Sequence, residues 1–315
     1  EQLETRGKDV LDKLGEEDFA LVIISRPYNG CDSGVNLDLP EKLRDLGVLA
    51  IPMDFLTLDL EDISKDYPNM YWKYGQKILA AARVIARDKR LYALYITNFG
   101  CGPDSFISKF FPKEVGGKPF LMIDIDEHSA DAGIMTRCEA FLDSLKNARI
   151  KEFKRERERK YKFSKNKKKT IFIPYMNDSG RLAAAAMRAN GVDAEALPMP
   201  DKLSLEIGRK YTSGKECYPA ILTTGDIVKK TQSSDFDPDG SVFFMATASG
   251  PCRFGQYNHL HRMVLDDIGL PHVPIFTMDQ RDDYMADTSK LGSSFRKLTW
   301  DGFVLVDFMQ KLLLE

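Results

Sequence analysis

The fold of this chain can be read from FALVIISRPYNGCDSG at residues 19–34, where an apolar run leads into a turn that carries a cysteine. The run from Phe19 to Ser25 has the length and the β-branched content of a buried strand. The turn after it holds Cys31 between Gly30 and Gly34, and a helix-like sequence follows. Strand, turn and helix in this order are typical of a parallel sheet covered by helices.

The same alternation continues on both sides of a basic segment near the middle of the chain. Stretches between the short apolar runs, such as Arg181 to Asn190 and Tyr257 to Ile268, have the periodicity of helices. We therefore predict an α/β fold with two Rossmann-like or flavodoxin-like domains, each an open parallel sheet with helices on both faces. The predicted strands are Phe19–Ser25, Val48–Pro52, Leu91–Thr97 and Pro119–Asp124, then Thr170–Pro174, Ala194–Pro198, Ser241–Thr247 and Val273–Thr277.

Two pairs of segments indicate that the halves arose by internal duplication. IISRPYNGCDSGVNLDLPEKLRDLGVLAIPMD aligns with IFIPYMNDSGRLAAAAMRANGVDAEALPMPD, and YITNFGCGPDSF aligns with FMATASGPCRFG. A duplicated fold predicts two domains related by a pseudo-twofold axis with a shared cleft, so that a bound cofactor would lie in the cleft between them.

Length and composition agree with two domains in a reducing compartment. The 315 residues exceed the usual size of one compact domain, and 43% of them are hydrophobic. An odd number of cysteines, five, and the lack of a signal-peptide pattern argue against a disulfide framework. No apolar run is long enough to cross a bilayer, so we expect a cytoplasmic protein without a membrane partner. The sequence begins at Glu1 rather than methionine, which leaves open whether it is a fragment of a longer chain with other domains as partners.

Positive charge is concentrated between the two halves. Residues 146–169 hold 13 Lys or Arg and 3 Asp or Glu, which leaves 32 bases and 44 acids elsewhere. Such charge runs are usually solvated, so we predict a first domain at 1–147 with an N-terminal helix, a basic helical linker at 148–169 and a second domain at 170–315. The run has few interleaved aromatic residues, so we expect no nucleic-acid partner. Docking to an acidic protein is the other interpretation of this linker.

Four of the five cysteines are predicted to lie at the start of a helix, after a strand or at the beginning of a helix pattern. Cys31 and Cys101 follow the first and third strands, Cys252 follows the corresponding strand of the second half, and Cys217 precedes the helix-like run YPAILTTGDIVKK. Parallel sheets bind ligands at the carboxyl ends of their strands, and the positive end of a helix dipole favours thiolate. We therefore predict that these four cysteines bind a cofactor. Cys138 lies inside a helix pattern, and we interpret it as a packing residue.

Three identities of this site compete. Buried structural cysteine is the simplest interpretation of any single thiol. Structural zinc sites usually contain closely spaced cysteine pairs, which this chain lacks. An iron–sulfur cluster held by two cysteines from each half fits four separate loops best. Glycines beside the thiols, at Gly30, Gly100 and Gly102, would let backbone N–H groups approach such a cluster.

Five sequence blocks carry a family resemblance: SRPYNGCDSGVNLDLP, ITNFGCGPDSF, DIDEHSADAGIMTRCEAF, GKECYP and SGPCRFGQY. In these blocks the chain resembles 2-hydroxyacyl-CoA dehydratase components of the kind fused to or associated with activase ATPases, which are related to double-cubane cluster proteins. The resemblance implies an iron–sulfur cluster, 4Fe–4S first and double-cubane as the alternative, in an anaerobic setting. It also implies an actin-like, ATP-hydrolysing activator as the electron donor. The dehydratases bind each cluster through three cysteines, whereas this sequence offers four.

Other polar residues are candidates for contacts around the cluster. Arg253 and Gln256 lie within four residues after Cys252 and are predicted to hydrogen-bond at the cluster edge or to a small substrate. The block IDIDEHSADAG is most simply a capped strand-to-helix turn. Because the resemblance makes this block a signature, Glu127 and His128 are candidates as well.

Two further observations argue against a histidine metal site and against ATP hydrolysis by this chain. His259 and His261 are two residues apart in a helix pattern, so they face different directions and are poor candidates for one metal. The chain lacks a G-x-x-x-x-G-K-S/T loop, so we expect ATP hydrolysis to occur in the partner. No catalytic residue is predicted.

Two hypotheses of function follow. The first is an iron–sulfur redox protein that acts as electron acceptor, or as a catalytic reductase or dehydratase-like component, in ATP-driven low-potential electron transfer. The second is a non-redox, two-lobed protein that binds small molecules and has structural cysteines or zinc. The sequence does not identify a substrate for either hypothesis.

Overall fold

The computed structural model describes residues 2–100, 102–129, 131–146, 169–278 and 285–314. The chain divides into two compact units, Glu1–Glu158 and Arg159–Glu315. The predicted basic linker lies outside the described residues except for Lys169. Its helical character therefore stays a prediction.

The first unit is built on a sheet of four parallel strands, β1 (Ala20–Ile24), β2 (Leu49–Pro52), β3 (Leu91–Asn98) and β4 (Phe120–Ile125). They pair in the order β2-β1-β3-β4. All of β1 and all but the last residue of β3 are buried, as expected for central strands with helices on both faces. From β1 and β3 the sheet grows in opposite directions, which places the ligand-binding crevice of such folds at their carboxyl ends.

Helices surround this sheet and close its core. Leu21, Leu94 and Ile123 from the strands pack with Leu43 and Cys138 from two helices. The helices are α1 (Gln2–Asp12), α2 (Pro27–Cys31), α3 (Ser33–Asn36), α4 (Leu39–Asp45), α5 (Leu60–Asp66), α6 (Lys73–Arg87), α7 (Asp104–Glu114) and α8 (Asp131–Lys146).

A buried arginine joins three of these helices on the other side of the sheet. Arg83 of α6 pairs with Asp62 and Asp66 of α5, each at 2.8 Å, and with Glu114 of α7. Three carboxylates around one guanidinium compensate the cost of burying the charge.

The second unit repeats the same sheet with β5 (Thr170–Ile173), β6 (Ala194–Ala196), β7 (Ser241–Phe244) and β8 (Ile275–Phe276). The order is β6-β5-β7-β8, again all parallel. The same order in both units agrees with an internal duplication. The helices are α9 (Asp178–Ala189), α10 (Lys202–Tyr211), α11 (Tyr218–Thr231), α12 (Tyr257–Asp267), α13 (Met285–Leu291) and α14 (Phe295–Leu314).

Two helix contacts in this unit depend on glycine. A Cβ at Gly225 of α11 would overlap the carbonyl oxygen of Ser204 in α10, so the two helices touch backbone to backbone. A Cβ at Gly302 of α14 would overlap the side chain of Leu182 in α9.

The α/β fold with two parallel sheets is confirmed. Each of the eight predicted strands is present, and their ends differ from the predicted ends by at most three residues. The helices predicted at Arg181–Asn190 and Tyr257–Ile268 correspond to α9 and α12.

Candidate functional site

The loops after β1 and β3 are tied together by an ion pair at the carboxyl edge of the first sheet. Arg26 follows β1, and its Nη2 lies 2.7 Å from Oδ2 of Asp104, the first residue of α7. The guanidinium Nε also donates to both carboxylate oxygens, at 3.2 and 3.1 Å. Thr97 Oγ1, from the end of β3, donates to Asp104 Oδ2 at 3.0 Å. Asp104 is buried, so this network fixes both loops rigidly.

Cys31 lies on one of these loops with its side chain exposed. The prediction that Cys31 lies at the start of a helix is wrong. This cysteine is the last residue of the one-turn helix α2, and Asp32 caps the following helix α3 by accepting a hydrogen bond from Val35 N at 2.9 Å. Pro27 begins α2 early because its fixed φ suits the first turn of a helix, which moves Cys31 to the end of that turn.

The glycines near these thiols have local structural causes. A Cβ at Gly30 would overlap Oγ of Ser25, so a larger residue at this position would have to displace that hydroxyl. Gly100 and Gly102 have φ of 55° and 57°, in the left-handed region that glycine adopts without strain. Cys101, between them, lies outside the described residues.

Cys217 and Cys252 occupy equivalent local positions in the second unit, as predicted. Cys217 is the N-cap residue of α11, and Cys252 is the N-cap residue of a 3-10 turn at Arg253–Gln256 that runs into α12. Cys252 is exposed and Cys217 is partly exposed. Arg253 Nη1 donates to the carbonyl oxygen of Lys215 at 3.2 Å and thereby ties the two cysteine loops together.

Tyr257 contacts the thiol of Cys217, and sequence reasoning missed this contact. Its hydroxyl oxygen lies 2.7 Å from Cys217 Sγ. Burial raises the pKa of Tyr257 well above its usual range, the hydrogen bond and charge of Cys217 and the charge of Cys252 raise it further, and Arg253 opposes them. Either atom can be the donor of this hydrogen bond, and a thiolate at Cys217 would accept it from the hydroxyl. Cys217 and Tyr257 are 40 residues apart in sequence, so no local pattern indicates their contact.

Three polar residues that follow Cys252 in the chain are buried inside the second unit: Gln256, His259 and His261. His261 is fully buried, and its Nε2 lies 3.1 Å from Oγ1 of Thr223 in α11. Burial lowers the pKa of His261 to about 3, so the ring is neutral. His259 is also buried, and both histidines belong to the packing of α12.

Cys138 is a packing residue, as predicted. It is 1% exposed and lies in the core of the first unit. Burial raises the pKa of its thiol to about 11, which makes it a poor nucleophile and a poor metal ligand.

Glu127 and His128 lie after the edge strand β4 and are largely exposed. The backbone N–H of His128 and the hydroxyl of Ser129 both donate to Asp126 Oδ1, at 2.9 and 3.0 Å. The block is thus a side-chain-capped turn, which was its simpler interpretation. A role of Glu127 and His128 near a cofactor stays a prediction.

Potential metal ligands can be compared among the described residues of each unit. In the described part of the chain, no group of three or more His, Cys, Asp or Glu side chains is arranged to hold a metal ion. The Cys217–Cys252 loops offer two accessible thiols beside helix N-termini, and backbone N–H groups at such ends favour anionic sulfur. Cys217 and Cys252 could therefore supply two of the thiolate ligands of a cofactor.

The geometry defines a two-unit α/β protein with accessible thiols at the carboxyl edges of its parallel sheets. A family model described as the uncharacterised domain of CoA enzyme activases matches residues 1–56. The match includes β1, the turn with Cys31 and β2, and it links the chain to CoA enzyme activases and dehydratase components without indicating a particular member. Comparison with curated proteins gave no match.

No helix in the described ranges is long and apolar enough to cross a bilayer.

Proposed function

We propose that this protein is an iron–sulfur redox component that works with an ATP-hydrolysing activator. The observation that carries the proposal is the pair of loops with Cys217 and Cys252, two accessible thiols at N-cap positions whose loops are tied together by the hydrogen bond from Arg253 to Lys215. Buried structural cysteines have no need of this arrangement, and Cys138 shows what such a residue looks like in the same chain.

The proposed ligands are Cys31, Cys101, Cys217 and Cys252. A cluster bound by these thiolates would accept and pass on one electron at a time at low potential. The chain's own residues would orient the ligands: Asp104 and Arg26 fix the loop of Cys31, and Arg253 fixes the loop of Cys217. A 4Fe–4S cluster is the first expectation, and a double-cubane cluster is the alternative.

The activator is proposed from the family match. The family model that matches residues 1–56 is described as a domain of CoA enzyme activases. The resemblance in the five sequence blocks implies an activating ATPase as the partner. The protein would then be the electron acceptor, or a reductase or dehydratase-like component, in an ATP-driven system.

Iron content tests the proposal directly. Protein purified without oxygen is expected to absorb broadly near ~400 nm and to contain about four irons and four sulfides per chain if the cluster is a single cubane. A colourless, iron-free preparation would contradict the proposal and favour a small-molecule binding protein with structural cysteines. Zinc in place of iron would favour the same alternative.

Serine substitutions identify the ligands. A hydroxyl is a harder, less easily deprotonated ligand than a thiol, so serine at Cys31, Cys101, Cys217 or Cys252 is expected to lower iron content or change the absorption spectrum. Cys138→Ser is the matched control and should leave iron content unchanged. Equal iron loss in the control, or full iron in two of the four variants, would overturn the assignment.

A further inference from the structure

The hydroxyl of Tyr257 lies within hydrogen-bonding distance of a proposed ligand sulfur, 2.7 Å from Cys217 Sγ. Tyr257 is 4% exposed and begins α12, five residues after Cys252. Its ring is fixed by an edge contact with Phe254, with centroids 5.3 Å apart, and by a second edge contact with His261 at 6.3 Å. The hydroxyl is therefore held in place whether or not the sulfur beside it carries a ligand.

We propose that Tyr257 is a positioning residue that tunes the redox centre through its hydrogen bond to Cys217. The inference rests on the proposed function. A hydrogen bond to a cluster thiolate withdraws electron density from the sulfur, and this stabilises the reduced, more negative state of the centre. Tyr257 would thus raise the reduction potential, and it would also hold Cys217 in its ligating rotamer.

Tyr257→Phe tests this role because it keeps the ring and its packing and removes only the hydroxyl. The variant is expected to retain its iron and to show a lower midpoint potential in an anaerobic redox titration followed by absorbance. Tyr218→Phe is the matched control, since Tyr218 is adjacent to Cys217 but exposed. Its potential should equal that of the parent.

The outcomes separate this inference from the function on which it rests. Absence of iron from the parent protein would overturn both. Full iron with the same potential in parent, Tyr257→Phe and Tyr218→Phe would overturn the role of Tyr257 alone. An equal shift in both variants would do the same, because it would show a general effect of removing a nearby phenol.

A second feature, independent of the thiols, is the outer face of α14. The helix packs on α9 through Gly302 and Phe295, which are buried. Four large apolar side chains share the opposite face at a spacing of four residues, each more than half exposed: Trp300, Val304, Phe308 and Leu312. Proteins rarely leave a continuous apolar stripe of this kind in water, so it indicates a contact surface.

The charges beside the stripe indicate what covers it. Asp301 and Lys311 lie on the same side of α14 as the stripe, at 100° per residue. If two α14 helices cross antiparallel with their midpoints at Val306, Asp301 of each copy lies opposite Lys311 of the other. The same register places apolar stripe residues opposite one another on both sides of the midpoint. The face is thus complementary to itself, as a twofold symmetric interface requires.

We infer that the outer face of α14 binds a second copy of this chain. The contact from Trp300 to Leu312 extends only about 18 Å along the helix, so the dimer should be weak and should dissociate on dilution. Sedimentation velocity of the whole chain over a wide concentration range should show this reversible dimer. Trp300→Glu should abolish it, because a carboxylate would be buried in the contact.

A charge exchange tests the register. Asp301→Lys and Lys311→Asp each bring like charges together, so each is expected to weaken the dimer roughly tenfold or more. The double variant restores opposite charges and should restore the dimer. A chain that stays monomeric at every concentration would overturn the inference. Association that survives Trp300→Glu, or single variants that the double variant does not rescue, would overturn it too.

Discussion

At the scale of single residues, Asp226 is a buried carboxyl whose charge costs stability. It lies on α11 and is 5% exposed. Burial raises its pKa from 3.8 to about 6, against the opposing effects of a hydrogen bond from Ser204 and the charge of Lys229. The folded protein thus holds this proton at pH values where the unfolded chain has released it. Stability contributed by the protonated group is lost as pH rises from about 4 to about 6.

Asp226→Asn should therefore stabilise the protein at neutral pH. The gain is expected to be roughly 2 to 3 kcal/mol above pH 6 and to vanish near pH 4, where the parent side chain is also neutral. Denaturant unfolding at several pH values measures it. A difference between variant and parent that stays constant from pH 4 to pH 8 would contradict this prediction.

The cysteines show how far single residues could be predicted. The burial of Cys138 followed from its apolar neighbours at helical spacing, and the positions of Cys217 and Cys252 followed from the strand and helix pattern. Tyr257 and the Arg26–Asp104 pair were missed because their contacts join residues 40 and 78 positions apart. Side-chain partners across separate loops depend on tertiary packing, which one sequence does not display.

At the scale of elements, strands were predictable because parallel strands are buried on both faces and so appear as unbroken apolar runs. The short helices around Cys31 were not. Pro27 starts one helical turn, Asp32 starts another, and Leu37 and Asp38 adopt left-handed φ of 55° and 53° between α3 and α4. Such local changes depend on capping and turn geometry rather than on hydrophobic periodicity.

The contact of α10 with α11 yields a prediction at this scale. Gly225→Ala should destabilise the second unit by roughly 1 to 3 kcal/mol, because its Cβ would overlap the Ser204 carbonyl oxygen and force the helices apart. Thermal or urea unfolding measures the loss.

A matched control is available in α8. Gly133 is also helical, and a Cβ there would meet nothing within 4 Å. Gly133→Ala should be neutral or stabilise by up to about 1 kcal/mol, since alanine is the better helix former. Equal destabilisation by both substitutions would show that the tight approach of α10 and α11 is not the cause.

At the scale of the whole molecule, the uneven distribution of charge yields the last prediction. Residues 146–169 carry a net charge of +10 in a chain whose total is −2. If this segment attracts an acidic activator, electron transfer from that partner should slow steeply as salt is added, because exposed charges are screened over about 8 Å at physiological ionic strength.

Reversal of three bases, Lys154, Arg155 and Arg157, should lower the association rate and flatten its salt dependence while iron content stays the same. Stopped-flow reduction with partner and ATP across a salt series measures both. If the association rates and their salt dependence are identical in parent and variant, the segment has no role in docking and only connects the domains.

The ion pair between Arg26 and Asp104 also imposes an order on biosynthesis. The two residues are 78 positions apart, and the chain leaves the ribosome from its N-terminus. Cys31 therefore emerges long before Asp104, whose ion pair with Arg26 fixes the Cys31 loop, has been translated. Until then, the loop that carries this exposed thiol lacks the ion pair that fixes it. If the position binds a cofactor, the fixed loop is available for it only after β3 and α7 have been made.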